Sequence, residues 1–141
     1  MSLTRMEQFD RTVEKTNEWI NELGAELGAD KDTTYYLLRA LLHSIRDMLT
    51  VEEATQFAAQ LPMLVKGFYY ECWRPTNVPV KISSINEFFQ LVKKRYGGKE
   101  EVDFDFAVPT VILYLSKKNF RETEDIKAII PAELRSLWEV S

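Results

Sequence analysis

The sequence predicts an all-α protein of about eight helices, built as two tandem four-helix repeats packed about a pseudo-twofold axis. Three observations lead there. Helix starts led by Ser, Thr, Asn or Asp recur along the chain, each followed by apolar residues at helical spacing. Glycine and proline are scarce, at 5 each, which disfavours many-turned β architectures. The landmarks of the first half also return, in order, in the second.

The elements follow in chain order. Thr4-Arg5-Met6-Glu7 is a capping box, in which the threonine and glutamate side chains each satisfy a free backbone donor. Met6, Phe9, Val13, Ile20, Leu23 and Leu27 continue as one apolar stripe, with Gly24 and Gly28 as candidate ends. Asp30 or Asp32 caps a second helix striped by Leu38, Leu41, Leu42, Ile45 and Leu49. At about 100° per residue, His43 falls opposite that stripe with Arg39, Arg46 and Asp47. Thr50-Val51-Glu52-Glu53, a further capping box, opens a short helix through Ala54, Phe57, Ala58 and Leu61.

Pro62 suits the first position of a fourth helix, where its missing N–H costs nothing. Leu64, Val65, Phe68, Tyr69, Cys72 and Trp73 share its broad apolar face. Arg74-Pro75 ends it, and Pro79 keeps the linker 74–82 extended. Ser84-Ile85-Asn86-Glu87 then caps a helix carrying Phe88, Phe89, Leu91, Val92 and Tyr96 and stopped by Gly97-Gly98. Asp103 or Asp105 caps the next, striped by Val108, Val111, Ile112 and Leu115, with Pro109 in or near its first turn. Asn119-Phe120-Arg121-Glu122 starts a short helix through Ile126 and Ile130, and Pro131 opens the last.

Each half thus reads as long, long, short and proline-started helix. Asn17-Glu18-Trp19-Ile20 matches Asn86-Glu87-Phe88-Phe89 at a shift of 69 (86 − 17), and Leu61-Pro62 matches Ile130-Pro131 at the same shift (131 − 62). Agreement of cap, stop, stripe and proline together points to duplication, with repeats at 4–73 and 84–141 in a single domain spanning 1–141.

Composition narrows the function. Net charge is −4, against the basic face that nucleic acid requires. Residues 1–73 carry 7 basic and 12 acidic groups (net −5) and residues 74–141 carry 11 and 10 (net +1). A single cysteine forms no internal disulfide. No apolar run approaches the ~20 residues of a membrane span, and the N-terminus lacks a secretory pattern. The expectation is a cytoplasmic protein with neither nucleic acid nor membrane as partner.

The strings Ala59-Gln60-Leu61-Pro62, Gly67-Phe68-Tyr69-Tyr70-Glu71, Trp73-Arg74-Pro75 and Pro131-Ala132-Glu133-Leu134-Arg135-Ser136-Leu137-Trp138 carry a resemblance. They resemble the small bacterial family catalogued as domain of unknown function 2267, from about Phe9 to Trp138. The resemblance implies an all-helical bacterial domain and carries over no catalytic residue. A small residue such as glycine is expected there in place of Cys72, which counts against an essential thiol.

The residues themselves point the same way. Cys72 falls near a helix C-terminus, where the dipole disfavours a thiolate, and on the apolar face with Val65 and Phe68, so a buried structural cysteine is expected. His43 is the only histidine, which excludes a His-rich metal site, and is expected to be solvated or at an interface beside Asp47. Glu52-Glu53, Glu122, Glu124 and Asp125 sit at helix starts, where capping and dipole effects explain them. Lys93-Lys94-Arg95 complements a helix end, and Gly97-Gly98 is a stop rather than a phosphate cradle. Gly67, inside a helix, suggests that another backbone approaches closely.

No catalytic residue, metal ligand or cofactor follows from these patterns. The leading expectation is a non-catalytic interaction or scaffolding module that binds a protein partner or a second copy through Tyr70, Trp73 and Arg74, residue types enriched at binding hot spots. The alternative is a small-molecule binder or enzyme with a pocket between the halves lined by Tyr69, Trp73 and Trp138. A third expectation is homodimerisation through Tyr36, Arg39, His43 and Arg46 on the outer side of the second helix.

Overall fold

Capping chemistry and apolar spacing account for most of the element order in the computed structural model, which describes residues 5–139. The described residues form seven α-helices and two 3₁₀ segments, with no strand. The Thr4 capping box lies outside them.

Helix α1 (Arg5–Leu27) ends at Gly28, whose φ of +66° is open to a residue without Cβ. The Ala29 N–H returns to the Gly24 carbonyl at 3.0 Å, closing a Schellman turn. Helix α2 (Lys31–Asp47) is capped by Asp30, which accepts the Thr33 N–H at 2.8 Å; Asp32 lies in the first turn instead. Helix α3 (Val51–Ala58) carries the reciprocal box, with Thr50 accepting from the Glu53 N–H at 3.2 Å and Glu53 accepting from the Thr50 N–H at 2.9 Å. Helix α4 (Met63–Tyr70) follows Pro62, then a 3₁₀ turn over Pro75–Asn77.

In the second half, α5 (Ile85–Arg95) is capped by Ser84, which accepts the Glu87 N–H at 3.1 Å. The box is not closed: the Glu87 carboxylate accepts from the Ser83 N–H and hydroxyl instead. Helix α6 (Phe104–Lys118) is capped by Asp103, not Asp105, and α7 (Phe120–Ile129) follows it. The chain closes in a 3₁₀ helix over Ala132–Trp138, so the eighth helix is tighter than the α-helix expected after Pro131.

Helix α2 is the central element. It packs on α1, α4, α5 and α6, and 12 of its 17 residues are buried, so it has no broad solvent face. Helices α6 and α7, and α3 and α7, also meet. One apolar cluster runs through both halves, joining Leu38, Leu41 and Ile45 of α2 to Val108, Val111, Ile112 and Leu115 of α6. Trp19 meets Tyr114 edge-on at 5.7 Å between centroids, and the Tyr114 hydroxyl donates to Glu22 at 2.6 Å. Lys118 and Lys117 pair with Glu22 and Glu26 beside that contact, at 2.9 and 3.0 Å.

Three expectations are overturned here. Met6, Phe9 and Val13 share a stripe but are exposed: α1 buries side chains from Thr16 onward, and before that the half-buried Thr12 accepts the Leu64 N–H at 3.0 Å. No atom outside its own helix comes within 4 Å of a Cβ built on Gly67, so no backbone approaches there. Helix α4 stops at Tyr70, which leaves Cys72 off the helix, exposed, with φ +61°.

Candidate functional site

The site grows from four side chains on one face of α2: Arg39, His43, Arg46 and Asp47. Residues four, seven and eight apart lie on one side of a helix, and the sequence groups them correctly. It misjudges what they face. His43 is 4% exposed, Arg46 1% and Asp47 6%, because the end of α4 and the end of α5 close over them. The expected dimer surface of Tyr36, Arg39, His43 and Arg46 is therefore not an outer face. Two of its four members are spent inside the chain.

Arg46 explains the burial. A helix leaves its last carbonyls without intrahelical partners, and α4 ends against α2. The Arg46 Nη1 donates to the carbonyls of Tyr69 and Glu71, both at 2.7 Å, while Nε and Nη2 donate to the two Asp47 oxygens at 2.7 and 3.1 Å. The His43 Nε2 donates to the Phe68 carbonyl at 2.7 Å. A carbonyl accepts only, so this nitrogen carries the proton. Two buried polar side chains thus cap the C-terminus of α4 from the neighbouring helix.

Arg95 arrives from the last turn of α5. Its Nη1 donates to the His43 carbonyl at 3.1 Å and to Asp47 Oδ2. Asp47 is then shared between two guanidinium groups. Burial pushes its carboxyl up, but the hydrogen bonds from Arg46 and Arg95 outweigh it and hold the group below the usual carboxylate range. Burial brings His43 down to about 4; the hydrogen bond to Phe68 opposes this, and the charges of Arg46, Arg39 and Arg95 reinforce it. His43 is neutral at neutral pH.

Over these groups lies an open cavity of about 450 Å³, walled by Arg39, His43, Arg46, Asp47 and Arg95 on one side and by Cys72, Arg74, Asn77, Val78 and Val80 on the other. The segment forming the second wall is fixed where the Val80 N–H donates to the Asp47 carbonyl at 2.6 Å. Arg39 donates to Glu71 at 3.2 Å and reaches the Cys72 sulfur at 3.9 Å. Arg74 is exposed; its carbonyl accepts the Asn77 N–H at 2.9 Å, while its side chain makes no hydrogen bond or ion pair among the described residues. Four arginines thus meet in one cavity of an acidic chain.

Of the predicted edge of Tyr70, Trp73 and Arg74, only Arg74 lines this cavity. Tyr70 and Trp73 are half-buried and face each other at 5.4 Å between centroids. The Trp73 indole N–H is buried without a partner among the described residues. Tyr69 and Trp138 lie elsewhere. Tyr69 is fully buried and donates to the Ala54 carbonyl at 2.8 Å, and Trp138 is buried against Phe88 at 5.9 Å. Arg95, read from sequence only as a dipole complement, and the wall of Asn77, Val78 and Val80 were the members that sequence did not indicate. Their only signal was the proline-bounded stretch after Arg74.

No group of three or more His, Cys, Asp and Glu able to hold a metal ion occurs among the described residues. No described helix is long and apolar enough to cross a membrane. A family model described as an uncharacterized conserved protein, DUF2267, matches residues 16–137. No curated protein matches the chain.

Proposed function

The chain belongs to the DUF2267 family, and on that footing we propose a non-catalytic binding module whose working site is the arginine-lined cavity, with Arg74 in its wall and Tyr70 and Trp73 on the chain beside it, taking an anionic group carried by a partner. One observation carries this reading: Arg39, Arg74 and Arg95 bring donors to a single cavity that Asp47 and Glu71 neutralise only in part. Guanidinium groups offer a fork of donors suited to carboxylate and phosphate.

Two further points support the absence of proton-transfer chemistry at this site. The His43 Nε2–H is engaged by a carbonyl, and its surroundings keep the ring neutral down to about pH 4. Asp47 is held ionised by two arginines. Neither is poised to exchange a proton near neutral pH. The competing reading, a pocket between the halves lined by Tyr69, Trp73 and Trp138, draws no comparable support. Tyr69 is sealed under Ala54, and Trp138 is packed on Phe88.

Two finer points complete the proposal. The tandem-repeat reading is supported by the packing of α1 on α6 and of α5 on α2, reciprocal pairs under a twofold relation. A bacterial cytoplasmic setting rests on the family resemblance and the unpaired cysteine. The test is calorimetric titration with citrate at low ionic strength, where exposed charges are least screened. Saturable binding that Arg74→Glu abolishes supports the reading. An absence of binding by citrate and by every other anion tried, or binding indifferent to Arg74→Glu, overturns it.

A further inference from the structure

The donors around the cavity are not equally available. Arg46 is used up: its Nε, Nη1 and Nη2 serve Asp47, Tyr69 and Glu71, so its role is to position the site. Arg39 has Nη1 uncommitted and only a long contact from Nη2 to sulfur. Arg95 binds through Nη1 alone, leaving Nε and Nη2. Arg74 has all its donors free among the described residues. Three guanidinium groups with open donors thus border one space.

Charge sets what they would accept. Four arginines against Asp47 and Glu71 leave the site at +2 (4 − 2), with His43 uncharged. A single carboxylate would leave half of that excess unmatched, whereas a dianion would cancel it. A phosphate monoester carries close to two negative charges at neutral pH and three strong acceptor oxygens, one for each open arginine. The cavity of about 450 Å³ lies within the range of about 300–1,000 Å³ typical of small-molecule sites. It therefore has room for more than a bare anion. Val78 and Val80 give its wall an apolar stretch against which the organic part of an ester can lie.

We propose that this cavity is a phosphate-monoester site, with Arg39, Arg74 and Arg95 contacting the phosphate and Arg46 fixing their frame. The assignment rests on the binding-module reading and sharpens its ligand class. The same group is offered by a phosphorylated side chain or by a small phosphorylated metabolite.

Phenyl phosphate and phenyl sulfate share shape and differ by about one charge near pH 7.5, so the pair isolates the dianion requirement. Titrated against the full chain, phenyl phosphate is expected to bind roughly tenfold or more tighter, the ratio that about 1.4 kcal/mol of extra charge pairing produces. Arg74→Gln, at an exposed position that leaves the fold intact by circular dichroism, should weaken it by a similar factor. Arg95→Lys, which keeps the charge but loses the fork, should weaken it without abolishing binding. A phosphoserine peptide and a sugar phosphate then separate the two sources: tighter binding of either supports the site and names its supplier. If phenyl phosphate binds no tighter than phenyl sulfate while citrate still binds, the dianion assignment is wrong and the module reading survives. If no anion binds at all, both fall.

Discussion

Replacing Arg46 by methionine would strip the Tyr69 and Glu71 carbonyls of a donor and leave Asp47 with Arg95 alone. Breaking a buried pair from one side typically costs about 3–5 kcal/mol, because the partner's charge is left uncompensated. Arg46→Met is therefore expected to lower unfolding free energy in urea by that order, and a change under about 1 kcal/mol would mean that water replaces the lost donors. His43 makes a second expectation. Its pKa is lowered to about 4 from 6.5, so the unfolded chain takes up its proton before the native chain does. Stability is then fullest above about pH 6.5 and falls toward pH 4, with a slope from this group of up to roughly 1.4 kcal/mol per pH unit. Asp47, held low, loses its contribution only at more acid pH, in the same direction. Comparing urea midpoints of wild type and His43→Gln from neutral to about pH 4.5 isolates the histidine, and parallel curves would refute the assignment. The sequence showed that His43, Arg39, Arg46 and Asp47 share a face. It gave no sign that the face was covered, because the covering groups are α4's terminal carbonyls, and a carbonyl has no letter of its own.

Helix starts were legible at Asp30, Thr50, Ser84 and Asp103 because capping is a local bond between near neighbours. Helix neighbours were not. The stripe on α1 runs from Met6, but a stripe records apolar residues and not whether anything faces them. The buried residues of that helix all lie from Thr16 onward: Thr16, Trp19, Ile20, Leu23 and Gly24. Phe9→Ser should accordingly change stability by less than about 0.5 kcal/mol, while Trp19→Ala should cost about 3–5 kcal/mol through the cavity left beside Tyr114. Chemical denaturation of the two variants decides it; a large effect at Phe9 would mean that the first turns of α1 are covered in solution. The end of α4 failed for a different reason. Apolar spacing continues through Cys72 and Trp73, yet the chain leaves the helix at Glu71, where Arg46 takes the Tyr69 carbonyl that the Trp73 N–H would have used in a further turn. A tertiary hydrogen bond overrode a local pattern.

Across the molecule, the two halves share what each would need alone. Helix α2 is covered by α5 and α6 from the other half, so the first half in isolation would expose Leu38, Leu41 and Ile45. A fragment of residues 1–80 is expected to show no cooperative thermal transition by circular dichroism, whereas the full chain does; a cooperative fragment would show autonomous halves. All-helical class was readable from pattern at this scale, since period and caps agree along the whole chain. The cavity was not, because its walls come from α2, the segment 72–80 and the end of α5, and meet only through folding. Asp47 holds those three together: its carboxylate takes Arg46 and Arg95, and its carbonyl takes the Val80 N–H. Amide protons trade with solvent only when the unit holding them opens. The Val80 amide belongs to no helix, yet it should exchange as slowly as the amides of α5's last turn, and both should quicken together when Asp47 becomes Ala.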